Sequence, residues 1–321
     1  MNTRRDFIKT TLALGAGATL GLPALNKLLA VDAAPAPANT DAPAPASDAK
    51  PDLVAVRDGT RAAMLDRAID TLGGMSAFVK KGQKVVIKPN IGWDKPPEIC
   101  ADTHPDIVAR LVTLCLAAGA AEVAVFDHTC DEPWDKVYQT SGIAPAAKAA
   151  GARLLPANSA SYYREVKVPG GVSLKTVKIH TAVLDSDVFI NAPVLKHHGG
   201  ELMTACMKNL MGMVWDRGFW HGNNLDQCIV DILRAKKPDL NILDAYSPMA
   251  RNGPQGNSTA DLLPNVKTLF ASTDIVAIDA AGARTLGHDP AKIRYIRLAA
   301  EAGLGRMDLE KLNIARIKLS A

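Results

Sequence analysis

The sequence predicts an α/β protein: a mostly parallel sheet flanked by helices, with a small β-rich subdomain inserted around residues 155–185. Three observations carry this expectation. Short apolar runs alternate with segments of helical period from residue 53 onward. The alternation is one strand to one helix, the pattern of a parallel sheet rather than of a hairpin array. Of the 321 residues, 48% are hydrophobic and 22% charged, enough to bury a core and inconsistent with a mainly disordered chain. Aromatics are only 5%, so the core must be built from Ala, Val, Ile, Leu and Met.

Taken in order, Leu53–Val56 reads as the first strand and Thr60 as the N-cap of a helix to about Leu72. Lys84–Asn90 is a strand stopped by Pro89. Pro105 opens a helix that Gly119 closes. Glu122–His128 is the next strand. Pro145–Ala150 reads as a short helix and Arg153–Leu155 as a strand. Tyr163–Val168 and Leu174–Ile179 flank Gly170-Gly171 as a hairpin. Asp187–Lys196 reads as one buried strand, and Met203–Val214 and Asn224–Lys236 as helices. Asp239–Asp244 and Val266–Ala271 follow as strands, Asp274–Leu286 and Ala291–Ala302 as helices. Leu312–Leu319 is expected as an edge strand.

The first residues read differently. Thr3-Arg4-Arg5-Asp6-Phe7-Ile8-Lys9 resembles the twin-arginine (Tat) export signal. The apolar stretch Thr10–Asn26 is short and broken by three Gly and a Pro, so no stable membrane span is expected. Residues 1–33 are assigned as the signal peptide, residues 34–51 as an Ala/Pro-rich linker and 52–321 as the α/β domain. Twelve of the 18 residues from 34 to 51 are Ala or Pro, a composition that cannot bury a core. The signal implies the Tat translocase as a partner during export and the periplasm as destination. The whole chain has 37 basic and 33 acidic side chains, a net charge of +4. Four basic and two acidic residues lie in the signal, so the mature chain is near neutral and nucleic acid is not an expected partner.

The five cysteines, Cys100, Cys115, Cys130, Cys206 and Cys228, form no C-x-x-C pair. Zinc-ribbon, ferredoxin and thioredoxin spacings are therefore absent. Cys115 and Cys228 read as helix core positions. A cluster assembled from distant cysteines stays open.

Several strands end in polar residues: Lys88-Pro89-Asn90, Asp127-His128, Lys196-His197-His198 and the loop through Asn252. In an open α/β sheet, ligands bind beyond the carboxyl ends of the strands, at the point where strand order reverses. Lys88, Asn90, Lys196, Lys208, Asn209, Asn252 and Asp279 are therefore candidates for binding an anion, with Asp279 neutralising one of the lysines. His128 and His198 are the candidate acid/base or metal-ligating groups. Adjacent residues on a strand face opposite ways, so only one of His197 and His198 should face a cleft. Each has a plainer alternative: Lys88 and Asn90 as turn chemistry, His128 as a structural imidazole, Lys208 as a snorkelling side chain. The loop carrying Trp215, Trp220 and His221 reads either as a lid or as a hydrophobic anchor.

The ordered set V-V-I-K-P-N, T-H-P with its A-G-A exit, V-F-I-N-A-P-V-L-K-H-H, M-T-A-C-M-K-N-L-M-G, N-G-P-Q-G and S-T-D-I-V-A-I-D-A resembles the domain-of-unknown-function family 362 across residues 52–319. The resemblance implies an α/β fold and a site location, and no settled reaction. Family members are often labelled iron–sulfur proteins, some with an added ferredoxin-type module that this chain lacks.

Three functions follow as expectations. The first is an exported enzyme with a Lys/Asn/His-lined cleft for a small anionic ligand. The second is a redox protein loaded with a metal or iron–sulfur centre before export, and the third a non-catalytic anion-binding protein. G-x-S-x-G, G-x-G-x-x-G and P-loop patterns are absent, which removes support for serine-hydrolase and standard nucleotide chemistry. Because the export receptor reads the arginine pair, changing Arg4 and Arg5 together to Lys should leave precursor in the cytoplasm. Cell fractionation with immunoblotting measures this, and undiminished accumulation outside the cytoplasm would contradict the assignment.

Overall fold

The computed structural model describes residues 50–320. The signal peptide and nearly all of the linker assigned above lie outside these residues. Twelve strands and ten helices are described, together with several single 3-10 turns. The strands are β1 (Leu53–Arg57), β2 (Lys84–Pro89), β3 (Glu122–Val125), β4 (Arg153–Leu154), β5 (Tyr163–Lys167), β6 (Thr176–His180), β7 (Val188–Ala192), β8 (Val194–His198), β9 (Leu202–Thr204), β10 (Leu240–Met249), β11 (Thr268–Ser272) and β12 (Ile314–Lys318). The helices are α1 (Arg61–Thr71), α2 (Pro105–Ala117), α3 (Trp134–Thr140), α4 (Ile143–Ala149), α5 (Thr181–Leu184), α6 (Cys206–Asn209), α7 (Arg217–Gly222), α8 (Leu225–Ala235), α9 (Ile275–Thr285) and α10 (Arg294–Glu301).

The main sheet runs β12-β1-β11-β10-β7-β2-β3-β4. Only β11 is antiparallel to its neighbours on this path. Strand alternation divides the core between the two faces. Val85 and Ile87 of β2 pack on one side with Ile107, Leu111 and Cys115 of α2; Val86 packs on the other with Phe189, Leu195 and Met207. Lys88 is next in the Val86 series, so its side chain enters the second face. The hairpin β5–β6 forms its own two-stranded sheet, and its buried Tyr163, Val177 and Ile179 join that second core.

Caps behave as their chemistry requires. Thr60 accepts from Ala63 N–H, and Asp274 accepts from the N–H groups of Val276 and Ala277. Cys115 and Cys228 are buried helix residues.

Four segments differ from expectation. Asp187–Lys196 is two strands, because Pro193 has no N–H to continue a ladder. Beyond it the chain shifts register onto β10 and gains β9 as a second neighbour. Met203–Val214 is not one helix. Its start pairs with β8, Ala205 is extended, and only Cys206–Asn209 is α-helical before a 3-10 turn over Leu210–Met213. A uniformly apolar run hides such a break from periodicity. The short helices α3 and α7 were not foreseen, being polar and lacking a clear apolar stripe.

The parallel order also locates the point where strand order reverses. From β2 the chain moves outward to β3 and β4, whereas β7 lies on the other side of β2 and leads to β10. The reversal falls between β2 and β7, where Lys88 pairs in register with Asn191.

Candidate functional site

A cavity of about 680 Å³ opens beyond the carboxyl ends of β2 and β3 and is walled by β8, α6 and α7. Its lining includes Lys88, Asn90, Asp127, His128, Lys196, His198, Lys208 and Asn209. Seven of the nine residues singled out in the sequence therefore meet around one space. Asn252 and Asp279 do not line it. Asn252 donates to Asp261 Oδ1 at 2.7 Å within its own loop. Asp279 is fully buried and neutralises no lysine by direct contact; it accepts from Cys206 N at 2.7 Å and Met207 N at 3.0 Å. It thereby caps α6, the helix that carries Lys208 and Asn209. Burial pushes its carboxyl up to about 7.

Lys88 is fully buried and spends its ammonium inside the protein. Nζ lies 2.8 Å from Asp127 Oδ1 and donates to Pro89 O at 2.8 Å and to Asn209 Oδ1 at 3.0 Å. Two of its protons go to these oxygen acceptors, and the Asp127 carboxylate beside it supplies the counter-charge. Asp127 is held in turn by Ile91 N–H at 2.7 Å. From Asn209 the polar contacts run on across the sheet. Asn209 Nδ2 donates to Asn191 Oδ1 at 2.8 Å, and Asn191 Nδ2 to Asn241 Oδ1 at 2.9 Å. Gly212 presses onto the ion pair: a Cβ there would lie 1.8 Å from Asp127 Oδ1 and 2.7 Å from Lys88 Nζ.

Lys196 and Lys208 differ from Lys88. Lys196 is 1% exposed and donates to the carbonyl of Ala101. Lys208 is 8% exposed, with the Met211 thioether at 3.2 Å. Among the described residues, neither forms an ion pair with a carboxylate. Burial lowers the pKa of all three lysines, that of Lys196 to about 8. Behind Lys196, Asp102 accepts from Gly92 N at 2.6 Å and Trp93 N at 3.2 Å, while its Oδ2 is buried without a hydrogen bond. Burial pushes Asp102 up to about 7, against the pull of Lys196. Asn90 Oδ1 is likewise buried without a hydrogen bond.

His128 lies flat against Trp215, with ring centroids 5.3 Å apart. Its Nδ1 is 3.1 Å from Val214 O, an acceptor only, so Nδ1 carries the proton and Nε2 is left basic. Burial, and then the nearby Arg217 guanidinium, lower its pKa and keep the ring neutral near pH 7. His198 lines the cavity and His197 does not; His197 instead accepts from Gly253 N at 3.2 Å. His198 Nδ1 lies 2.9 Å from Glu201 Oε2. The Trp215–His221 segment is both anchor and wall: Trp220 is buried, while Trp215, Arg217 and His221 line the cavity. Arg217 was missed in the sequence. It donates to His128 O at 2.8 Å and Thr129 O at 2.7 Å, and no motif surrounds it.

Among the described residues, no three His, Cys, Asp or Glu side chains converge to hold a metal ion. Cys115 belongs to one face of the sheet and Cys206 and Cys228 to the other, and only Cys130 reaches the cavity. This donor set does not fit an iron–sulfur cluster.

The fold and site define an α/β protein with a polar cavity at a strand-order reversal. The chain belongs to the family described as a domain of unknown function (DUF362), which it matches over residues 85–284. Residues 1–21 match the twin-arginine translocation signal sequence, so the chain carries the signal for export across a membrane. None of the described helices is long and apolar enough to cross a membrane. A thylakoid-associated protein of Synechocystis sp. is 30% identical over 255 residues, 77% of this chain and 76% of that protein. The lactate racemase apoprotein of Thermoanaerobacterium thermosaccharolyticum is similar at a TM-score of 0.46 and 10% identity, over 71% of this chain and 56% of that one. A Thermotoga maritima protein is similar at 0.42 and 10%, over 75% and 59%. The chain thus spans under two thirds of either solved structure.

Gly212→Ala tests the packing on the ion pair. It should cost on the order of 3 kcal/mol or more, because the new methyl must displace one member of a buried pair. Urea denaturation measures it; a change below about 1 kcal/mol would show that the turn does not press on Lys88 and Asp127.

Proposed function

We propose that this is an exported, periplasmic enzyme whose cavity binds a small carboxylate- or phosphate-bearing molecule. The carrying observation is the contrast among three buried lysines. Lys88 has its counter-charge within the protein; among the described residues, Lys196 and Lys208, on the same cavity, have none in contact. A buried charge without a partner is costly, and an anion in the cavity relieves two such costs together. The anion would also draw both lysines to their charged forms, since an opposite charge raises a lysine pKa.

The other lining groups fit this reading. Asn90, with an unused buried oxygen, can accept a hydrogen bond from a hydroxyl or other donor on the ligand. Asn209 is committed to Lys88 and Asn191 and acts by positioning. His128, neutral and with Nε2 unprotonated, is the general base, and His198 is a second imidazole on the same wall. The relative from Synechocystis is described as thylakoid-associated, which accords with a place at or beyond a membrane.

Inorganic phosphate is the simplest probe. It should raise the unfolding free energy of the mature protein, by about 2.7 kcal/mol at a concentration 100 times its Kd. Lys208→Met should remove that phosphate dependence. It should also leave the phosphate-free protein at least as stable, because it deletes a buried charge that no carboxylate contacts among the described residues. Equilibrium denaturation with and without phosphate measures both. Stability of the unaltered protein that is insensitive to phosphate and to simple carboxylates would contradict the proposal.

A further inference from the structure

Lys196 combines features that anion binding alone does not require. Its amine is almost wholly buried, lines the cavity and keeps a single hydrogen bond, to the Ala101 carbonyl. Lys208 lines the same cavity, and its charge acts on Lys196. A lysine desolvated beside a second cation is held partly as the free amine, which is the nucleophilic form. The carboxylate acting most strongly on Lys196 is Asp102, whose Oδ2 is buried without a hydrogen bond. Gly92, whose N–H is held by Asp102, itself lines the cavity. A point one Cβ bond above Gly92 lies 3.5 Å from Asn90 Nδ2, 3.7 Å from Cys130 Sγ and 3.9 Å from Asp102 Oδ1. These are ordinary van der Waals distances, so Asp102 lies directly behind the Gly92 wall of the cavity.

We propose that Lys196 forms a Schiff base with a small 2-oxo acid, whose carboxylate is held by Lys208. This deepens the anion-binding reading and rests on it. In the step, the Lys196 nitrogen lone pair attacks the ketone or aldehyde carbon. A C–N bond forms, and one amine proton passes to the carbonyl oxygen, giving a carbinolamine. The carboxyl proton of Asp102 then goes to the hydroxyl, which leaves as water, and the nitrogen lone pair closes the C=N bond. The products are a protonated imine, an Asp102 carboxylate and one water, with no oxidant or reductant consumed. The Asp102 carboxylate is left as counter-ion to the iminium, which answers its unused oxygen. The substrate carboxylate answers the unpaired ammonium of Lys208. Glyoxylate and pyruvate are the smallest members of the class and well within a cavity of about 680 Å³.

The test traps the imine. The mature protein is incubated with glyoxylate or pyruvate and sodium cyanoborohydride, and the reduced adduct is mapped by peptide mass spectrometry. The expected result is modification of Lys196 ahead of exposed lysines such as Lys311 and Lys318, slowed by competing phosphate. Lys196→Arg should abolish the cavity adduct, but the site mapping on the unaltered protein decides the matter even if that variant folds poorly. Calorimetry of the same 2-oxo acids without reductant separates the two ideas. Binding without an adduct at Lys196 overturns the Schiff base and leaves anion binding standing. Neither binding nor adduct overturns both. Labelling spread evenly over surface lysines also overturns the proposal.

Discussion

The buried pair of Lys88 and Asp127 is the constraint around which the site is arranged. Its Nζ–Oδ1 distance is 2.8 Å and both side chains are essentially out of water. Such a pair is tolerable only when further hydrogen bonds support it. That requirement reaches far from the pair. Lys88 needs Asn209, and Asn209 in turn is held by Asn191, so α6 must sit over β2 and β7. The helix has only four residues and cannot hold itself there. Asp279, from α9, fixes its first N–H groups, and Gly212 lets the following turn approach the ion pair.

This scaffold places Lys208 and Lys196 where they would not otherwise be stable. Lys208 follows from the position of α6. Lys196 follows from Pro193, which ends β7 and sends the chain on as β8 with a new set of neighbours. The two lysines then share a cavity with a neutral imidazole, His128, whose tautomer is set by the Val214 carbonyl. Three lysines of similar burial are thereby divided into one structural cation and two that face the cavity without a contacting carboxylate. The division is made by hydrogen bonding and not by depth.

Much of the fold was legible in the sequence, because strands and helices alternate with ordinary caps and periods. The ends of β2 and β8 could be located from Lys88-Pro89-Asn90 and Lys196-His197-His198. The segment Met203–Val214 could not be read, since its apolar composition suits a helix, a strand or a 3-10 turn equally well. Its true form depends on pairing with β8 and capping by Asp279, 73 positions from Cys206. Asn252 and Asp279 stood out for good chemical reasons, yet their partners are local loop and backbone groups. Arg217 and Asp102 carried no sequence signal, because a surface helix and a turn residue look ordinary until the chain folds around them.

Lys196 and Lys208 face the cavity with no carboxylate in contact among the described residues, whereas Lys88 is paired with Asp127. An NMR pH titration of protein labelled at the lysine ε-carbon tests this contrast most directly, run with and without saturating phosphate. Lys196 should titrate near pH 8, well below an ordinary lysine, because burial disfavours its charged form. Phosphate should move that transition upward. Binding should correspondingly weaken as the pH rises through this range, since the positive charge is being lost. The assignment is made by the disappearance of the signal in Lys196→Met. Lysines that all titrate at their ordinary value, unmoved by phosphate, would contradict the account.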